Sequence, residues 1–138
     1  GGTAVISMMR QHIFAPSHIV SLHRIPGLGE ISKIEEGGLS IGAMTTLRAI
    51  ETHPGVVRQY PLLAETLSRV ANVRVRYSAT LGGNLAHGDY RLDPPGALIA
   101  LGASIRLGSV RGERTLPVEY FFKGFFDPLI ELYHPFLR

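Results

Sequence analysis

The chain has 138 residues, 45% hydrophobic and 18% charged, with a net charge of +3 and a mean hydropathy just above zero. That excludes a mainly disordered polymer and supplies enough apolar material for one real core. The absence of cysteine excludes disulfides, thiolate metal sites and iron–sulfur ligation by this chain, and suits the cytoplasm.

The positive charge comes from twelve Arg and two Lys, dispersed rather than gathered into an aromatic-interleaved stripe, so nucleic-acid binding is not indicated. The longest uncharged apolar runs fall far short of a membrane span, and no basic region precedes an apolar one as in a signal peptide. The chain opens on Gly1-Gly2-Thr3 with neither a Met nor a preceding element, which reads as truncation at that end.

Val5 to Gln11 follows the opening glycines as a short helix, with Thr3 placed to cap it and Ile6 and Met9 on one face. Ile19-Val20-Ser21-Leu22 reads as a short buried strand ended by Pro26-Gly27 and Gly29. Ile31 to Glu36, Gly37-Gly38 and Leu39 to Gly42 form a hairpin pattern, with the glycines suited to positive φ in a tight turn. Thr45 or Thr46 can cap Leu47 to Thr52, which Pro54-Gly55 interrupts.

Pro61 to Asn72 carries the clearest helical signal. Pro61 suits the first helical position, Leu63, Leu67, Val70 and Ala71 share one face, and Asn72 is a tolerable left-handed terminator. Val73-Arg74-Val75-Arg76-Tyr77 then alternates like an edge strand. Its arginines read as solvated strand charges, with contact to a phosphate or partner as the alternative. His87 to Pro95 is polar and irregular, Pro94 or Pro95 starts a helix over Ala97 to Leu101, and Ala103 to Leu107 alternates as a strand. Val110 to Arg114 makes a turn, Thr115 begins the return, and Val118 to Phe122 suggests a short helix. From Gly124 onward the chain is apolar and aromatic without a clear period. Such a tail exposes apolar surface unless something covers it, and the C-terminus reads as an arbitrary stop.

The stretch richest in backbone freedom and polar side chains is Thr80-Leu81-Gly82-Gly83-Asn84-Leu85-Ala86-His87, with Asp93 six residues beyond it and an echo in Gly1-Gly2-Thr3. Paired glycines allow close approach of main chain to ligand, and successive N–H groups can converge on an anion. A lone pair is more often only a turn. His12, His18, His23, His53 and His134 lack metal-ligand spacing, so no metal site is read, and no paired carboxylates or Ser–His–Asp arrangement emerges. No catalytic residue is therefore assigned, and any catalysis must come from a bound cofactor.

An ordered series of short motifs goes further. Gly1-Gly2-Thr3 precedes Met9-Arg10; then come Ile25-Pro26-Gly27-Leu28, Leu39-Ser40-Ile41-Gly42-Ala43 with Thr45-Thr46, Pro61-Leu62-Leu63-Ala64 and Ala79 to His87; Asp93-Pro94-Pro95, Leu101-Gly102-Ala103, Gly112-Glu113-Arg114 and Phe121-Phe122-Lys123-Gly124 complete it. In this order the series resembles the FAD-binding medium subunit or domain of molybdenum hydroxylases, the carbon monoxide dehydrogenase and xanthine dehydrogenase group, over about residues 1 to 124.

The resemblance implies a two-lobed α+β FAD-binding fold of the vanillyl-alcohol-oxidase (PCMH) type, not a Rossmann fold, truncated at both ends. Residues 1–55 would be the remainder of a small N-terminal lobe, 56–124 a larger lobe, and 125–138 a tail toward a missing C-terminal domain. It also implies that Gly1, Gly2 and Thr3 and the loop Thr80, Gly82, Gly83 and Asn84 bind the FAD diphosphate. Asp93 would meet ribityl hydroxyls and His87 would line the flavin. For Asp93 a helix-capping role, and for His87 an ordinary loop role, are the alternatives.

The chain departs from the family pattern in three places: Ala4 where Asp is frequent, Tyr77 where Asn usually follows Arg76, and Asp89-Tyr90-Arg91 in place of the commoner Asp-Pro-Ala. The implied function is the FAD-dependent electron-transfer component of a cytoplasmic oxidoreductase. Its partners would be a large molybdenum cofactor subunit and a small iron–sulfur subunit, and FAD would pass electrons to an external acceptor. A non-catalytic fragment or assembly module, and a self-contained flavin oxidase, are the alternatives.

Overall fold

A computed structural model describes residues 1–35, 37–124, 127–128 and 136–137, the last four as backbone alone. In chain order the elements are α1 (Thr3–Arg10), β1 (Ile31–Lys33), β2 (Leu39–Ile41), α2 (Leu47–Thr52), α3 (Pro54–Gln59), α4 (Pro61–Arg69), α5 (Val73–Ser78), α6 (Leu81–Ala86), α7 (Asp93–Ala100), β3 (Ser104–Ser109), β4 (Gly112–Pro117), a 3-10 turn at Val118–Tyr120, β5 (Phe122–Gly124), β6 (Asp127–Pro128) and β7 (Phe136–Leu137).

These helices are too short to persist alone and depend on caps and packing. Thr46 Oγ1 accepts from Ala49 N–H at 3.1 Å to start α2, and His53 Nδ1 accepts from Gly55 N–H at 3.2 Å to start α3. Pro54 and Pro61 occupy first-turn positions of α3 and α4, where a missing N–H costs nothing. The core joins α2, α3 and α4 through Leu47, Ile50, Val56, Leu63 and Leu67 to Leu98 of α7, Ile105 and Leu107 of β3, and Phe121. Each fully buried side chain of this size contributes about 1.5–3 kcal/mol.

β1 and β2 pair antiparallel with Ile31 opposite Ile41. Their turn uses Gly37 and Gly38 at φ of 89° and 110°, as the doublet predicts. β3 pairs with β4 from Ser104–Pro117 to Ser109–Gly112, and β7 adds to its other edge with Leu107 opposite Leu137.

Several elements differ from the sequence reading. Thr3 is the first residue of α1 rather than its cap; Gly2 takes the cap position at φ 86° with no side-chain hydrogen bond. Ile19 to Leu22 forms no strand, and Ile19 and Val20 are exposed, because no described segment pairs with them. The helix from Pro61 ends at Arg69, and the left-handed residue is Ala71 at φ 46°, not Asn72. Asn72 instead caps the next segment, accepting from Val75 N–H at 3.1 Å. Val73 to Ser78 is accordingly a helix, not an edge strand. Five alternating residues lie within one helical turn and a half, so a cap and one buried anchor decide the outcome. The reading of the aromatic tail falls almost wholly outside the described residues.

Candidate functional site

The Gly82-Gly83 doublet is helical. Thr80, 3% exposed, sits in extended conformation at the N-cap of α6, and its Oγ1 accepts from Gly83 N–H at 3.2 Å. Leu81 N–H donates to Thr45 O at 3.0 Å, Gly82 N–H to Ala43 O at 2.9 Å, and Asn84 N–H to Thr80 O at 2.9 Å. Leu47 N–H closes the pairing on Ala79 O at 2.9 Å, around a Thr46–Thr80 bridge. The first turn of α6 thus leaves no N–H over, and its glycines do not take the positive φ expected of a loop.

Gly82 is required for a different reason. A Cβ there would lie 2.6 Å from Ala43 Cβ and 2.7 Å from Ala43 O, so the residue allows α6 to seat against the strip Ala43–Thr45. Gly83 is exposed, and a Cβ on it would meet Thr80 Oγ1 at 2.8 Å. What the turn offers a ligand is the Thr80 hydroxyl hydrogen and the Asn84 amide. Asn84 Oδ1 is buried without a hydrogen-bond partner among the described residues.

The other glycine pair lies beside it. A Cβ built on Gly1 would be 3.5 Å from Thr80 Oγ1. In α1, Ile6 N–H closes on Gly2 O at 2.8 Å, while the N–H groups of Thr3, Ala4 and Val5 have no acceptor among the described residues. Free N–H groups at a helix start carry partial positive charge and suit an anion. The open donors therefore lie at Thr3, Ala4 and Val5, just after the first glycine pair, and the closed ones at Leu81 to Asn84.

His87 ends α6 half-buried, its N–H on Gly83 O at 3.1 Å. Asp93 is exposed in the first turn of α7. Leu92 holds the cap position and no side chain caps the helix, so the capping alternative for Asp93 does not hold. Asp93 lines a cleft of about 700 Å³ with Thr66, Arg69 and Tyr90, to which none of the glycine-pair residues contributes. Gly82 lines a mainly apolar cavity of about 380 Å³ with Ala43, Leu85, Ile105 and Arg106. The structure thus brings Gly1 near Thr80 and places Asp93 in a different cleft.

Arg91, which lines the same cleft as Asp93, grips Asp89 with Nε on Oδ1 at 3.1 Å and Nη2 on Oδ2 at 3.2 Å. Those hydrogen bonds hold the Asp89 carboxyl below the usual carboxylate range. The grip is complete above the ordinary carboxylate pKa and is lost only as pH falls through the depressed one.

Sequence reasoning missed one buried group. Arg76, 9% exposed, donates from Nε to Glu51 Oε2 at 3.0 Å and from Nη1 to Val70 O at 2.9 Å and Ala71 O at 3.4 Å. Arg48 Nη1 meets Glu51 Oε1 at 2.7 Å. Arg76 is therefore a buried structural cation, not a solvated strand charge. Among the described residues no cluster of three or more His, Asp or Glu could hold a metal ion, and no helix is long and apolar enough to cross a membrane.

Open N–H groups at the start of α1, the Thr80 hydroxyl and the unsatisfied Asn84 amide thus lie close to the two glycine pairs in sequence. Residues 1–132 match the model of the FAD binding domain in molybdopterin dehydrogenase, and the chain belongs to that family. It is 38% identical over 132 residues to the carbon monoxide dehydrogenase medium chain of Hydrogenophaga pseudoflava, covering 95% of this chain and 45% of that one. It is 34% identical to the nicotine 6-hydroxylase medium subunit of Paenarthrobacter nicotinovorans, covering 90% and 44%. Quinoline 2-oxidoreductase from Pseudomonas putida 86 superposes at a TM-score of 0.90 with 32% identity, over 99% of this chain and 48% of that one. The α+β fold is that of the quinoline 2-oxidoreductase chain, and the family's cofactor is FAD. The chain spans a little under half the length of the curated relatives it matches.

Proposed function

We propose that this chain supplies the diphosphate and ribityl cradle of the FAD-binding medium subunit of a cytoplasmic molybdenum hydroxylase-type oxidoreductase. That subunit works beside a large molybdenum cofactor subunit and a small iron–sulfur subunit. Residues 1–55 and 56–124 form its two lobes, with 125–138 leading to its C-terminal part. FAD, when bound, accepts electrons from iron–sulfur clusters and releases them in pairs to an external acceptor.

The observation that supports the reading is the nearness of Gly1 to Thr80, whose Oγ1 would lie 3.5 Å from a Cβ built on Gly1; Gly1 leads directly into the open N–H groups of Thr3, Ala4 and Val5, and the Thr80 hydroxyl hydrogen has no acceptor among the described residues. These groups would donate to diphosphate oxygens, and bare Gly2 and Gly83 leave room for close approach. Asn84 also fits. A buried carbonyl oxygen without a donor costs about 1–3 kcal/mol, and a cofactor donor would satisfy it. Asp93, exposed and lining its cleft, would accept from ribityl hydroxyls. His87, two turns from Thr80 along α6, would line the flavin, and Gly82 supports the cradle by seating α6.

The orphan amide gives a test in which stability and binding separate. Asn84→Ala removes the unsatisfied oxygen, so the FAD-free chain should melt no lower than the parent, while FAD affinity falls about tenfold, or about 1.4 kcal/mol. Differential scanning fluorimetry and a flavin fluorescence titration measure the two. Unchanged affinity would remove Asn84 from the cradle.

A further inference from the structure

We propose that Arg76 is a positioning residue for the Thr80–Gly83 turn, acting through Glu51 of α2 without itself touching the cofactor. The inference rests on the cradle reading above for its effect on FAD, and on hydrogen-bond geometry alone for its effect on the turn.

α5 has six residues and is followed directly by Ala79 and Thr80. α2 holds this run at both ends. At the N-terminal end of α2, Leu47 N–H reaches Ala79 O at 2.9 Å, and the adjoining Thr45 O receives Leu81 N–H at 3.0 Å. At its C-terminal end, Glu51 Oε2 receives Arg76 Nε at 3.0 Å. The second carboxylate oxygen is held by Arg48 at 2.7 Å, which fixes the rotamer that Arg76 meets. The same guanidinium binds the Val70 carbonyl at 2.9 Å, so it also anchors the end of α4. A six-residue helix cannot hold its own register. With one attachment before the turn and one at it, Thr80 has a fixed height and angle against Gly1 and against Ala43. Without the Arg76 attachment, only the Asn72 cap and the pairing at Ala79–Gly82 are left to resist fraying of α5 among the hydrogen bonds described.

The test compares Arg76→Met with Arg76→Lys and with Val56→Ala. Val56 is a buried core residue of α3 that makes no part of the clamp, and its truncation supplies a matched loss of melting temperature. In the FAD-free chain, amide exchange at Leu81 and Gly82, measured relative to Leu67 in α4, should rise about tenfold in Arg76→Met and stay level in Val56→Ala. Arg76→Lys keeps the charge but not the fork, and should fall between. Equal relative exchange in Arg76→Met and Val56→Ala would overturn the positioning role.

An FAD titration of the same proteins forms the second arm. Affinity should drop about tenfold in Arg76→Met and remain in Val56→Ala. Opened amides with unchanged FAD affinity would sustain the clamp and overturn the seat of the cofactor at Thr80, so the two failures are distinguishable.

Discussion

Gly82→Ala should lower stability by about 3 kcal/mol, near the top of what overpacking by one methyl costs. The added Cβ would sit 2.6 Å from Ala43 Cβ and 2.7 Å from Ala43 O. Neither is the far end of a flexible side chain, so α6 or the Ala43–Thr45 strip must move. Either movement stretches the Gly82–Ala43 and Leu81–Thr45 hydrogen bonds. On a chain of this size the melting temperature should drop by roughly 10 °C, as read by circular dichroism. Gly96→Ala is the control. It lies in α7 with nothing within 4 Å of its added Cβ, and the better helix former should raise stability by about 0.5–1 kcal/mol. A melting temperature for Gly82→Ala within 2–3 °C of the parent (roughly 1 kcal/mol) would mean that α6 is not seated as described.

Glu51→Ala should cost about 3 kcal/mol, the lower end for breaking a buried ion pair, since its side chain and that of Arg76 each keep 11% of their exposure. The loss exceeds that of a surface pair because it leaves the Arg76 guanidinium, and partly that of Arg48, without a counter-charge. Exposed Arg69–Glu65, at 2.6 Å on α4, offers the contrast: Glu65→Ala should change stability by no more than about 0.5 kcal/mol. In a double-mutant cycle, Glu51→Leu with Arg76→Met should destabilise less than the sum of the single changes, because no buried charge is then stranded. Strict additivity would show that the pair is not coupled.

Much of the fold was legible where one short stretch decides one element. A threonine cap at Thr45 or Thr46 (Thr46 in the structure), Pro61 as a first helical residue, the Gly37-Gly38 hairpin and the Ala103 to Leu107 alternation all involve neighbours within a turn or two. The misses involve partners far away in sequence. Val73 to Ser78 is helical because Arg76 finds Glu51, 25 residues earlier, and no local period reveals that. The Asn72 cap before Val75 was the one local signal available. Ile19 to Leu22 carries strand-forming residues, but strand formation needs a partner, and no described segment supplies one.

For the site, the composition of Thr80 to His87 revealed where to look but not how it works. Two glycines in a row suggested an open nest. The N–H groups of Gly82 and Gly83 are instead closed by Ala43 O and Thr80 Oγ1, and the free donors lie at Thr3, Ala4 and Val5. Asp93 was placed by its position in the ordered series of motifs, which carries no information about which cavity a carboxylate enters.

The cradle that Gly1 and Thr80 would share is tested most directly at Thr80. Thr80→Val keeps the shape and burial but removes the hydroxyl, with a loss of about 1 kcal/mol for the α6 cap. Titrating FAD into the parent chain and into Thr80→Val, with flavin fluorescence as the readout, should show saturable binding in the parent. In the folded variant it should be weaker by about tenfold or more. Equal affinity in the two proteins would contradict the cradle.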